Sequence, residues 1–259
     1  MQFAALLYKE NEPVNYEALH LRSKELVGAD LDLTGSMMVY TGSSTPVLYY
    51  VMACTEDMNP KRTENFAKAA EQSWNCEDAR ERISQCDHIV DVFEMVASVL
   101  EPRERLRIFH SILQAAVEIT KPHAIHFLHS QQILDPELYL EDCSLAPVQR
   151  RGAINVRFFR AANGDSGEMI MDTRGLEEVG LQDLQCHFKN LEPREVASLL
   201  FGTAAYLVEN GAVIESGNTI EGLNPGSKWR CQLEEAIIEP KRSILDINPG
   251  SPHAAGGRS

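Results

Sequence analysis

The chain of 259 residues carries 38 acidic against 24 basic side chains, a formal net charge of −14 and a pI near 5.0. With 44% apolar and 24% charged residues it has the composition of a globular protein, long enough for one large domain or two small ones. Residues 1–150 hold 13 basic and 23 acidic side chains and residues 151–259 hold 11 and 15, so neither half offers the concentrated positive surface that a phosphate backbone or an anionic membrane needs.

Phe3–Tyr8 is an unbroken apolar run and reads as a short buried strand. Residues 15 to 27 (Tyr16, Leu19, Leu26, Val27) suit a helix that Gly28 ends. Met37–Tyr40 and Val47–Cys54 flank the turn-rich Thr41–Pro46 and predict a hairpin. Val47–Cys54 lacks polar alternation, which predicts a central strand covered on both faces. Asn59-Pro60 opens a helix through Phe66, Ala70 and Trp74, and Ile89–Val96 is the next strand. The order strand, helix, strand, strand, helix, strand is that of a ferredoxin-like α+β fold, a sheet with helices on one face. Glu101-Pro102 then starts a long helix with Leu106, Phe109, Leu113 and Val117 at helical spacing, which Lys121-Pro122 stops. Ala124–Leu128 is a strand, and residues 131 to 152 form a loop with a short helix at Pro136–Leu140.

The second half reads as strand Ile154–Arg160, a turn at Asn163–Gly167, strand Glu168–Thr173, and the alternating strand Asp183–Lys189. Pro193–Glu209 is a helix, with Pro193 in its first turn and Asn210-Gly211 at its C-terminus. Val213–Ile220, Trp229–Ile237 and Ser243–Ile247 are strands. The expected organisation is a ferredoxin-like half over 1–148, a second α+β half over 149–249 with a mixed or antiparallel sheet, and a disordered tail over 250–259. Leu100-Glu-Pro-Arg-Glu104 recurs as Leu191-Glu-Pro-Arg-Glu195, which is shared helix-start chemistry rather than a duplication.

No segment reaches the ~20 apolar residues of a membrane helix, and Phe3–Tyr8 is too short for a secretory signal. Cys54, Cys76, Cys86, Cys143, Cys186 and Cys231 are widely spaced without a C-x-x-C, which fits free thiols in a reducing cytoplasm. The arginines Arg103/Arg105/Arg107 and Arg150/Arg151/Arg157/Arg160 lie near carboxylates and read as solvated charges.

Neither a phosphate-binding glycine loop, a dinucleotide fingerprint nor a metalloprotease helix motif occurs. Gly164-Asp165-Ser166-Gly167 matches the core of a serine-protease nucleophile motif but runs on into Glu168-Met169, and reads as a hairpin turn. Three polar segments remain. His126, His129 and Gln131 gather at a strand exit, where ligand crevices often lie. With a period of two, His126 and His129 point to opposite faces if the strand runs on to His129, which favours a structural histidine pair over a metal site. Asp172 and Arg174 stand at a second strand exit, a carboxylate and a guanidinium close together. Asp183, Gln185 and His187 share one strand face, which by default is the solvated face of an antiparallel sheet. Cys186 lies on the opposite face, so it is not paired with His187 as a nucleophile.

The run Asp172-Thr173-Arg174-Gly175-Leu176, then Gly180–His187, Glu209-Asn210-Gly211, Ser216–Gly222 and Lys228–Cys231, together with Ile125–Gln131, resembles a bacterial family known as domain of unknown function 4261. The resemblance covers most of residues 1 to 250 and is most specific between 169 and 250. It implies a cytoplasmic bacterial α+β protein and no assigned reaction. The function favoured by these features is a non-catalytic interaction or regulatory module that binds another protein. The alternative is an enzyme or small-ligand binder with a polar site built from 126–132, 172–175 and 183–187. No cofactor and no metal are expected.

Overall fold

A computed structural model describes residues 1–11, 13–34, 37–53, 60–161 and 167–256. Cys54, the helix start at Asn59 and the turn residues Asn163–Ser166, with the serine-protease-like motif, fall outside the described residues. The chain divides into two compact units, Met1–Ala153 and Ile154–Ser259, each an α+β body.

Among its described residues the first unit has seven strands: β1 (Phe3–Tyr8), β2 (Leu31–Thr34), β3 (Met37–Tyr40), β4 (Val47–Ala53), β5 (His88–Met95), β6 (Ala124–Phe127) and β7 (Gln132–Leu134). They form one antiparallel sheet in the order β2-β3-β4-β5-β1-β6-β7. The helices are α1 (Tyr16–Val27), α2 (Pro60–Glu71), α3 (Ala79–Ser84), α4 (Pro102–Thr120) and α5 (Pro136–Asp142). The apolar run of β1 has a direct cause. Ala4, Leu6 and Tyr8 pack with Leu19 of α1 and Ile108, Ile112 and Ala116 of α4, whereas Ala5 and Leu7 pack with Phe66 of α2 and Ile83 of α3. Alternate residues of one strand thus meet two cores, and every position is apolar.

This overturns the expectation of helices on one face only: α1 and α4 cover one side of the sheet, and α2 and α3 the other. Nor is β4 covered on both sides. Val47, Tyr49 and Val51 are fully buried, but Met52 is 41% exposed and Leu48 and Tyr50 are half-buried. In the expected series β4 would neighbour β1; β5 instead lies between them. The short strands β2 and β7 had no expectation of their own.

The second unit holds β8 (Asn155–Arg160), β9 (Glu168–Arg174), β10 (Leu184–Lys189), α6 (Pro193–Asn210), β11 (Thr219–Glu221), β12 (Lys228–Glu235) and β13 (Ser243–Asn248). Its sheet runs β11-β12-β13-β10-β9-β8 and is mixed, because β10 and β13 are parallel. Helix α6 starts at Pro193 and ends at Gly211, which takes φ +79° and donates its N–H to Leu207 O at 2.7 Å. Its buried residues Val196, Leu200, Ala204, Leu207 and Val208 recur at helical spacing, and it packs on β8, β9 and β10.

Two expectations are corrected in this unit. Of the expected strand Val213–Ile220 only Thr219 and Ile220 lie in a strand, as part of β11, because Glu215–Asn218 closes a turn: Asn218 N–H donates to Glu215 O at 3.0 Å, and Glu215 N–H to Asn218 Oδ1 at 2.9 Å. Residues 250–256 are not a disordered tail but are tied to the sheet. Ala254 bridges Phe188, Lys189 N–H donates to His253 O at 2.9 Å, and Gly256 N–H donates to Glu168 Oε1 at 2.8 Å. Gly256 sits so close to the His187 ring that a Cβ there would strike it, so only glycine permits this approach.

Candidate functional site

The pleat and register of the second sheet decide where its polar residues go. Arg157 of β8 is paired with Asp172 of β9, Asp172 with Gln185 of β10, Gln185 with Asp246 of β13, and Asp246 with Gln232 of β12. Directly opposed residues share a face, so five strands contribute one polar side chain each to a single row across the sheet. The segment between β12 and β13 folds over this row.

Asp172 lies between two guanidinium groups. Arg157 grips it with both forks, Nε to Oδ1 at 2.8 Å and Nη2 to Oδ2 at 2.6 Å, and Arg242 adds Nη2 to Oδ2 at 2.9 Å. Arg157 Nη2 also donates to Glu239 O at 3.1 Å, and its guanidinium stands 5.2 Å from the Phe159 ring centre. Asp183, just before β10, accepts from Thr173 Oγ1 at 3.1 Å, from Leu176 N–H at 3.2 Å and from Arg242 Nε at 3.3 Å, with Arg174 Nη1 at 3.7 Å. Further along the row, Gln185 Nε2 donates to Asp246 Oδ1 at 3.0 Å and Gln185 Oε1 accepts from Ile237 N–H at 2.8 Å.

Asp172 and Gln185 are fully buried, and Asp183 and Asp246 are 1% exposed. Burial pushes Asp183 up to about 6, against the pull of Arg174 and Arg242. The same burial draws Arg174 below the usual arginine value. Asp172 and Asp183 are therefore each met by several donors from their own unit, and Asp246 Oδ1 by Gln185, with Arg157 and Arg242 paired to Asp172 and Arg242 and Arg174 facing Asp183.

The candidates are thus partly assembled. Asp172, Arg174, Asp183 and Gln185 converge, but as an internal network, and the solvated face expected for Asp183, Gln185 and His187 is corrected: a later segment closes over it. His187 leaves this group and meets Glu168, Nε2 to Oε1 at 2.9 Å, beside Gly256. Arg157, expected as a solvated charge, is 4% exposed, and Arg105 is 7% exposed on Glu94. Thr173, the hydroxyl of the Asp172–Gly175 segment, joins the network, as do Arg242 and Asp246, which had not been singled out. Alternation of Asn155, Arg157 and Phe159 in β8 was the one available signal for Arg157.

His126, His129 and Gln131 belong to the first unit. β6 stops at Phe127, so His129 lies in the turn that follows, and the argument from opposite strand faces no longer applies. His126 is 2% exposed with its ring edge on Phe66, centres 4.8 Å apart at 75°. Burial, with His129 and Arg62 nearby, pushes it down to about 3, so it is neutral near pH 7. Gln131 takes the left-handed φ of +54° that turns the chain into β7. Among the described residues, no group of three or more His, Cys, Asp or Glu is placed to hold a metal ion.

These features define the second unit as an α+β domain closed by a buried ion-pair row. Residues 172–248, within the second unit, match a family model described as domain of unknown function (DUF4261). No curated protein and no solved structure matches the chain.

Proposed function

We propose that the protein is a non-catalytic interaction module whose second unit receives an extended segment of a partner protein between α6 and β11. The observation that carries this reading is an open groove of about 830 Å³ between Leu199, Thr203 and Tyr206 of α6 and Val213, Ile214 and Ile220. Tyr206 is 52% and Val213 50% exposed, apolar surface of the kind that marks an interaction site. β11 is the edge strand of its sheet, and an edge beside a helix suits addition of one more strand from a partner. Arg194, Glu195 and Glu221 lie along the continuation of the groove, two carboxylates to one guanidinium, so a segment with apolar side chains and a basic one is the complementary partner. The grip of Arg157 and Arg242 on the buried Asp172 supports a structural rather than catalytic role for that carboxylate.

The test is capture from native lysate by the full chain and by its Tyr206→Glu and Val213→Asp variants, with melting curves as controls. The reading requires a stoichiometric protein bound by the parent chain and lost from both variants at unchanged melting temperature. Equal capture by all three, or none by the parent, rejects it.

The same reading takes the setting as bacterial and cytoplasmic. Its support is that Cys76, Cys86, Cys143, Cys186 and Cys231 are free thiols, and that among the described residues no helix is long and apolar enough to cross a membrane. For the first unit, a ferredoxin-like core is read in β1-α1-β4-β5-α4-β6. These strands lie in the order β6-β1-β5-β4, so each β-α-β pair encloses a strand of the other. The β2–β3 hairpin and α2–α3 are then insertions.

A further inference from the structure

We propose that a pocket in the first unit, between α2 and the β1–β6 pair, binds a small carboxylic acid with a compact apolar body. The cavity measures about 240 Å³, room for a single ring or a branched chain of similar bulk. Phe3, Phe66 and Leu128 supply its apolar walls, and His126, Arg62 and Lys61 its polar groups.

Three observations fix the chemical class. First, His126 is nine-tenths buried and lines the pocket, and its ring makes no hydrogen bond among the described residues. A ligand oxygen entering the pocket can accept from the imidazole N–H. Second, the rim is cationic in a protein that is otherwise strongly acidic. Arg62 is clamped on Asp91, Nη1 to Oδ1 at 3.0 Å and Nη2 to Oδ2 at 2.7 Å, which orients the guanidinium and cancels its charge. Lys61 has no acidic partner among the described residues and leaves the rim with one net positive charge. Third, most of the lining is carbon. Sugars and phosphates would leave polar atoms against Phe3, Phe66 and Leu128, whereas one anionic head at Lys61 and one apolar body inside satisfy every wall.

Helix α2 organises all of this. Lys61, Arg62, Asn65 and Phe66 are spaced to share one face of it, so the cationic rim and one aromatic wall come from the same helical turn and a half. The sheet provides the rest, since Phe3 and Ala5 of β1 and His126 of β6 point to the same side by register and period. The proposal concerns a different unit from the α6–β11 groove and stands or falls apart from it.

Benzoate and isovalerate, titrated into the full chain, are the probes, with imidazole nitrogen resonances and calorimetry as readouts. At least one acid is expected to saturate and to shift the His126 ring signals. Benzyl alcohol, equal in bulk to benzoate and uncharged, is expected to bind at least about tenfold more weakly, the loss of one partly exposed charge contact. Lys61→Glu, at an exposed position, should fold normally and weaken acid binding by at least a similar factor. Absence of saturation by either acid at about 10 mM, equal affinity in Lys61→Glu, or shifts that leave His126 unmoved would overturn the proposal.

Discussion

Arg242 reaches back to Asp172, placing Nη2 2.9 Å from Oδ2, while its Nε lies 3.3 Å from Asp183 Oδ2. One guanidinium thereby ties the segment before β13 to the ends of β9 and β10. Removing it leaves two buried carboxylates short of donors. Arg242→Met is expected to destabilise the second unit by about 3–5 kcal/mol, the usual cost of breaking a buried pair from one side. Urea unfolding followed by a probe in that unit measures it, and a loss below about 1 kcal/mol contradicts the network described.

Asp183 gives a pH signature of its own. Its folded value of about 6 lies above the ordinary carboxylate value, so the folded state holds a proton that the unfolded chain has released between roughly pH 4 and 6. The group's contribution to stability therefore declines as pH rises through that window. Carbon-13 titration of the Asp183 carboxyl should show a midpoint near 6; one at or below about 4 would contradict the burial argument.

His110 and His126 act with the opposite sign. Burial pushes both down to about 3, so the unfolded chain binds protons that the folded first unit excludes. Stability contributed by the neutral rings is complete above about pH 6.5 and falls toward acid by roughly 1.4 kcal/mol per pH unit for each ring. His110→Phe keeps the bulk that stacks on Phe127, centres 5.9 Å apart. Its unfolding free energy should show a shallower acid slope, readable from denaturant series at several pH values.

Gly152 holds φ +90°, and a Cβ there would land on the Phe127 ring. Its carbonyl also accepts from Ser130 Oγ at 2.7 Å. Gly152→Ala should cost upwards of about 2 kcal/mol through strain and displacement of a core ring. Gly180→Ala has open space at its Cβ and a similar φ of +88°, so it is expected to cost only the backbone term, about 1 kcal/mol. The difference between the two melting shifts isolates the ring clash.

Truncation after Pro249 would remove the strap that bonds to His187, Lys189 and Glu168. With the fully buried Phe188 uncovered on that side, a loss of about 2 kcal/mol is expected in the second unit, at about 1 kcal/mol or less per bond. An unchanged melting temperature would mean that these bonds contribute nothing.

Local chemistry carried the long elements into view from sequence. Pro102 and Lys121 bracket α4, Pro193 and Gly211 bracket α6, and the unbroken apolar run of β1 announced a buried strand. The short strands were not legible, because β2 and β7 are extended only by virtue of their neighbours β3 and β6. Conversely, Val213 and Ile214 have strand-like composition but are followed by a turn that withdraws them from the sheet. The alternation of Asp183, Gln185 and His187 correctly gave a shared face, yet alternation alone does not say what covers it. The cover comes from Ile237 and Arg242, some fifty residues later, and no local pattern encodes that return. The family resemblance, expected over most of residues 1 to 250, is matched over 172–248, a span that leaves out Ile125–Gln131.

The polar row from Arg157 to Gln232 also proofreads strand alignment. Because side chains alternate strictly, a slip of one residue in β10 would carry Gln185 to the other side and set Cys186 or Leu184 against Asp172 and Asp246. Asp246 would then lose the Gln185 amide and Ile237 N–H its acceptor. A misaligned β10 would forfeit both buried bonds of Gln185 at once, whereas a purely apolar row has no such bonds to lose.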